Sequence, residues 1–121
     1  SLFQRMDGYR KEFYYQIIDV KTYYDFVWVG ERLEQYSTAL LVPDVAWAFV
    51  PVSGKFSYTA QASPFGQEKI AQIMQFLASG ARDTSWLIER NIDIVYSQFP
   101  LHNPDLIEIR DNVYILRKGG R

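Results

Sequence analysis

Asp44 and Trp47 are the residues whose types and spacing best suit chemistry. An acidic group beside an aromatic plate suits a sugar: the carboxylate accepts from hydroxyls and the indole covers an apolar ring face. Asp44 follows the apolar run Thr38 to Val42 and Pro43. In open α/β sheets, ligands bind just past the carboxyl ends of strands. Gln61 and Ser63, expected at the end of the next strand, would arrive at the same edge. The bland readings stand beside this one: Asp44 caps a turn, and Trp47 and Phe49 fold inward to finish the core.

The other chemical groups fail their motifs. A phosphate loop around Gly54-Lys55 would need glycine where Phe49 stands and Ser or Thr where Phe56 stands. No glycine triplet follows a strand, so a dinucleotide fingerprint is missing. His102 is the single histidine and there is no cysteine, so a zinc site would rest on carboxylates beside it. Ser53 and Ser85 sit in no Gly-x-Ser-x-Gly elbow, and a hydrolase triad can be drawn only through His102. The reading is no catalytic residue, no metal and no cofactor.

The elements that must position Asp44 follow from the patterning. The chain has 121 residues, enough for one domain. A formal charge of −1 gives no pull toward nucleic acid. The lack of cysteine suits a cytosolic and an extracytoplasmic domain equally. No apolar run approaches the roughly 20 residues of a membrane helix, and no signal peptide is visible. The chain begins at Ser1, and a piece of a longer parent is expected.

Residues 1–36 read as a helical and aromatic segment packing on a core domain of 37–121, one domain overall. Tyr9, Phe13, Ile17 and Val20 fit a helical face, but Phe13, Tyr15 and Ile17 also fit a strand. Tyr23, Phe26, Val27, Leu33 and Tyr36 predict a helix starting near Thr22 or Asp25, with Glu31, Arg32 and Glu34 outward. Gly30 weakens that helix by about 1 kcal/mol against alanine.

Strands are predicted near 38–42, 55–60, 92–98 and 113–117, and helices near 64–79 and 83–90. Residues 45–51 read as an apolar loop. In 55–60, Phe56, Tyr58 and Ala60 alternate with Lys55, Ser57 and Thr59, a strand with one wetter face, near an edge. Ser63-Pro64 starts the long helix and Gly80 stops it. Asp83 caps the short helix and Asn91 ends it. Leu106 to Ile109 pairs with Val113 to Leu116 as a hairpin through Asp111-Asn112. Leu41, Ile73, Leu77, Ile94 and Val95 are the predicted core. The fold class is α/β: a single three-layer domain with a mainly parallel sheet of about four to five strands flanked by helices.

The order of landmarks carries a resemblance. Leu40-Leu41-Val42-Pro43-Asp44 leads to Trp47 and then Val50-Pro51-Val52-Ser53-Gly54-Lys55. A strand, a helix ending Gln75-Phe76-Leu77, the run Leu87 to Tyr96 and Val113-Tyr114-Ile115 follow. From about Ser37 to Leu116 this resembles the soluble C-terminal domain that follows the membrane spans of multi-pass, lipid-linked-sugar-dependent glycosyltransferases. In that family the acidic catalytic residues lie in loops between the spans, so none carries over. The resemblance implies a non-catalytic, extracytoplasmic accessory domain, held at the membrane through its parent chain. Its partners would be the membrane-embedded part of that chain and a sugar or lipid-linked sugar. The alternatives are a free-standing α/β protein that binds a sugar or nucleotide, cytoplasmic in that case, and a small hydrolase using Asp44, His102 and Ser53.

Overall fold

A computed structural model describes residues 18–59 and 67–117. The expected face through Tyr9, Phe13 and Ile17, the helix start at Ser63-Pro64, and Gln61 lie outside the described residues.

Nine elements are described. They run α1 (Val20–Arg32), β1 (Thr38–Leu40), α2 (Pro43–Ser53), β2 (Phe56–Ser57), α3 (Gln67–Ala78), α4 (Thr84–Glu89), β3 (Ile94–Tyr96), β4 (Leu106–Arg110) and β5 (Val113–Leu116). The five strands form one sheet in the order β2-β1-β3-β5-β4. β1 runs parallel to both β2 and β3, and β5 is antiparallel to both β3 and β4. The sheet is therefore mixed, which corrects the expectation of a mainly parallel one. The β4–β5 hairpin through Asp111-Asn112 was expected, and there Asn112 takes a left-handed φ of 73°; the sheet becomes mixed because β5, the returning strand of that hairpin, is the one that pairs with β3. A parallel pair needs a crossover of a dozen or more residues, whereas a tight turn can only return the chain antiparallel.

Two hydrophobic clusters divide the sheet residues by parity. Ala39, Leu41, Ile94 and Tyr96 pack with Phe26 and Val29 of α1 and with Ala48 and Phe49 of α2. Leu40 and Val95 pack with Ile73 and Leu77 of α3 and Leu87 of α4. Successive strand residues point to opposite faces, and that period of two explains the split. The predicted core residues Leu41, Ile73, Leu77, Ile94 and Val95 are all at most 1% exposed.

Residues 45–51 are helix, not loop. Pro43 stands at the first helical positions, where a missing N–H is tolerated because that group has no intrahelical partner. Pro51 falls near the far end, and Gly54 closes the helix at φ 75°. The run between the prolines buries Ala46, Ala48 and Phe49 and leaves Trp47 and Val50 outward. Lys55, the residue that invites a phosphate-loop reading, donates from Nζ to the Tyr36 carbonyl at 2.8 Å.

The faces of β2 are the reverse of those expected. Phe56 is 61% exposed while Ser57 and Thr59 are buried. β2 is an edge strand of two residues, shorter than the predicted 55–60 because residues 58–59 are already helical, and Thr59 ties that stretch back to Leu41. Thr59 Oγ1 donates to the Leu41 carbonyl and accepts from the Leu41 N–H at 3.2 Å. A small hydroxyl can bond to backbone where phenylalanine cannot, so the polar residues take the inner face.

Helix α1 begins earlier than expected. Asp19 is its cap, accepting from the Thr22 N–H at 2.7 Å. Neither Thr22 nor Asp25 caps it; both are buried inside. Gly30 has a reason to be there. A Cβ added to it would stand 2.5 Å from the Ser53 carbonyl oxygen of α2. Alanine favours a helix by about 1 kcal/mol, but backbone cannot step aside as a side chain can. Gly30→Ala should therefore destabilise the chain by about 1–3 kcal/mol. Urea melts check this, and a stabilised variant would show that α1 and α2 do not approach so closely.

Candidate functional site

The carboxyl ends of β1 and β3 lie side by side, because the two strands are parallel neighbours. Beyond Leu40 the chain passes Val42 and enters α2 at Pro43. Beyond Tyr96 it passes Ser97 to Gln98 and Phe99. Between these two exits is a groove of about 450 Å³. Val42, Asp44 and Val45 line it from the β1 side, and Tyr96, Gln98 and Phe99 from the β3 side. Met74 of α3 adds to it.

Local chemistry fixes these positions. Asp44 sits in the first turn of α2, where a negative charge is favoured by the helix dipole. Ser97 Oγ accepts from the Phe99 N–H at 3.0 Å and donates to the Phe99 carbonyl at 3.1 Å, which turns the chain just after β3. That turn brings Gln98 and Phe99 to the surface, and Phe99 stays 38% exposed. Among the described residues, no group bonds the Asp44 carboxylate or the Gln98 amide. The groove thus offers a carboxylate, an amide with both donor and acceptor character, and two accessible apolar surfaces, Phe99 and Met74.

Of the four site residues expected from sequence, Asp44 lines the groove. Trp47 does not: it lies one turn further along α2, and its Nε1 donates to the Asp44 carbonyl at 3.0 Å. An α-helix places residues three apart on neighbouring positions of one face, so the indole is engaged by its own helix rather than by the groove. It is 40% exposed, so it has not folded inward, whereas Phe49 has. Gln61 and Ser63 lie outside the described residues. Gln98, Phe99 and Met74 were not anticipated.

No family model, curated protein or solved structure matches the chain.

Of the three residues of the hydrolase reading, Asp44 and Ser53 stand apart and Ser53 is engaged. Ser53 ends α2 and Asp44 begins it; nine residues of helix at 1.5 Å each separate them by roughly 14 Å. Ser53 Oγ is buried, donating to the Phe49 carbonyl at 2.6 Å and accepting from the Lys55 N–H at 3.1 Å. His102 is exposed, and its backbone N–H donates to the Gly80 carbonyl at 2.8 Å. Among the described residues, no group of three or more His, Cys, Asp or Glu is placed to hold a metal.

A second groove, of about 500 Å³, lies at the opposite sheet edge and is lined by Ser37, Asn91, Asp93 and Arg117 among others. Its carboxylate is engaged: Asp93 accepts from the Ser37 and Thr38 N–H groups at 3.0–3.2 Å and fixes the start of β1. That role is structural.

Tyr96 links the first groove to the interior. Its ring packs edge-on against Phe26 at 5.1 Å, and its hydroxyl donates to Asp25 Oδ2 at 3.0 Å. Burial pushes the phenol above its usual value, and the neighbouring Asp25 charge adds to that, against an opposing bond with Thr22. A folded-state value above the unfolded one contributes stability that is complete below about pH 10 and is lost as pH rises through the folded value. The chain should thus lose stability above about pH 10, and Tyr96→Phe should flatten that alkaline limb. Urea melts between neutral and alkaline pH check it; an unchanged limb in the variant would place the titration elsewhere.

Proposed function

We propose that this chain is an extracytoplasmic accessory domain of an integral-membrane glycosyltransferase-like protein, recognising part of an acceptor or docking on the membrane part, and not itself catalytic. The observation that carries the reading is the groove at the carboxyl edge of β1 and β3, whose carboxylate and amide have no other use among the described residues. The order of landmarks supports it. β1, the aromatic stretch with Trp47, the Ser53-Gly54-Lys55 turn, β2, α3 with Phe76, α4 with Leu87 and Glu89, and β3 ending in Tyr96 keep the order of the resemblance, although the stretch with Trp47 is helix α2 where the resemblance has a loop. The same reading takes the domain as three layers, with α1 and α2 on one side of the sheet and α3 and α4 on the other. The alternation of Ala39, Leu40 and Leu41 between the two clusters supports that arrangement.

Among the described residues, no helix is long and apolar enough to cross a membrane. Attachment would come through the parent chain, and Trp47 and Val50 on the outer side of α2 offer it an apolar contact. A free-standing sugar-binding protein would use the same groove. The full-length gene product separates the two. Several hydrophobic spans upstream of Ser1, with the domain mapped outside the cytoplasm by protease protection, are the expected result. A complete reading frame of about this length overturns it.

A further inference from the structure

We propose that the groove at the carboxyl edge of β1 and β3 takes one uncharged, hydroxyl-bearing ring, a single pyranose unit. This deepens the accessory-domain reading by naming the class of ligand, and it excludes the nucleotide that the strand-end position alone would allow.

Three features of the lining select that class. The first is size: about 450 Å³ is at the small end of the roughly 300–1,000 Å³ of small-molecule sites. The second is charge. Among the described residues of the lining, Asp44 is the single charged one and none is Lys, Arg or His. A phosphate is held by cationic side chains in charge-assisted hydrogen bonds, so among the described lining residues a nucleotide would meet a carboxylate with no counter-charge. The third is the pairing of polar with apolar groups. The Asp44 carboxylate accepts from hydroxyls, and the Gln98 amide both donates and accepts. The Phe99 ring and the Met74 thioether, each a little over a third exposed, offer apolar surface beside them. A pyranose presents hydroxyls at its rim and C–H groups on its faces, and that is the complement of this lining. An organic cation is the nearest competitor, since it would also find a carboxylate and a ring. Against it, phenylalanine is a weaker cation-binding face than tryptophan, and one carboxylate at a helix start is partly offset by the dipole.

The test is a titration of the isotope-labelled 121-residue chain, followed at the Met74 methyl group and the Gln98 side-chain amide. Met74 is one of two methionines, so Met74→Leu assigns its signal. The probes are the methyl glycosides of glucose, galactose, mannose and N-acetylglucosamine, each taken to about 50 mM, because an open site with few contacts should give a Kd on the order of 1 mM. At least one glycoside should shift both signals saturably. Phe99→Ala should weaken that binding about tenfold and Asp44→Asn about threefold to tenfold, each an increment of about 1.4 kcal/mol or less. ADP and spermidine, run alongside, should leave both signals in place. Silence with all four glycosides overturns the inference, as does saturable binding of ADP or spermidine here. Glycoside binding unchanged in both variants overturns it too, because the ligand would then sit elsewhere. Failure here leaves the upstream membrane spans untouched, and a missing upstream region leaves glycoside binding untouched, so the two readings fail separately.

Discussion

Phe26→Ala should destabilise the chain by about 3–5 kcal/mol. Phe26 is fully buried where α1, α2 and β3 meet. Its ring lies edge-on to Phe49 and to Tyr96, each at 5.1 Å. Such pairs add about 0.5–1.5 kcal/mol beyond the area they bury. The cost of a large-to-small change depends on how far the surroundings close on the void. Here closure is blocked. Gly30 already brings α1 against the backbone of Ser53, so the two helices cannot come nearer to fill the space. The expected loss is therefore in the upper half of the range. Whole-domain stabilities run to about 5–15 kcal/mol, so this one ring carries a large share. Phe56→Ala is the control: that ring is 61% exposed on the edge strand, and its loss should stay within about 0.5 kcal/mol. Denaturant melts of the two variants decide it. A loss below about 1.5 kcal/mol for Phe26→Ala would mean that the helices do collapse onto the site.

The elements with clear local punctuation were legible in the sequence. Asp83 caps α4 as its position predicts, accepting from the Trp86 N–H at 3.3 Å. Gly80 stops the turn after α3 at φ 99°. The apolar spacing of Ile73 and Leu77 and the runs through Leu41, Ile94 and Val95 name core residues because burial is a local demand on side-chain type. Helix α2 was not legible. Val45 to Val50 is apolar on every side, so it has no polar face to betray a period of 3.6, and two prolines bracket it. The mixed sheet was hidden for another reason. β5 pairs with β3 across the intervening β4, and strand order leaves no trace in local pattern.

The groove was half legible. The strand-end rule, applied to 38–42, led to Asp44. The same rule would have reached Gln98 and Phe99 had the strand predicted over 92–98 been ended at Tyr96. Its signal was Ser97, whose hydroxyl bonds back to residue 99 and breaks the extended run. Met74 falls within the predicted helix 64–79, but nothing in the spacing marks it as a groove wall. Which helix residues reach a sheet edge depends on packing, not on sequence spacing.

Asp25→Ala should cost about 2–4 kcal/mol, an effect that the sequence does not suggest at all. An acidic residue in a surface helix reads as a cap or an outward charge, yet this carboxylate is 1% exposed. Its partners come from its own helix and from two strands of the sheet. Lys21 Nζ is 2.8 Å away, one turn back on α1. Arg110 Nε of β4 is also at 2.8 Å, and the Tyr96 hydroxyl of β3 is at 3.0 Å. Both oxygens of the carboxylate are therefore used. The guanidinium lies over the Trp28 ring at 5.4 Å, which holds it from the other side. Removing one partner of a fully buried pair costs about 3–5 kcal/mol, mostly from the charge left behind. Here the side chains of Lys21 and Arg110 are 50% and 37% exposed, so both cations can turn to water and the penalty falls. Tyr96 cannot turn; its hydroxyl keeps the longer 3.5 Å contact with Thr22 Oγ1, but losing the Asp25 acceptor still costs about 1 kcal/mol. Tyr96→Phe in the Asp25→Ala background should then cost less than it does alone, with a coupling of about 1 kcal/mol. The surface contact of Lys21 with Asp111, at 3.5 Å, gives the contrast. Asp111→Ala should cost no more than about 0.5 kcal/mol. Urea melts of the single and double variants measure all of these. A loss below about 1 kcal/mol for Asp25→Ala, or no coupling to Tyr96, would mean that this carboxylate is carried by α1 without tying it to the sheet.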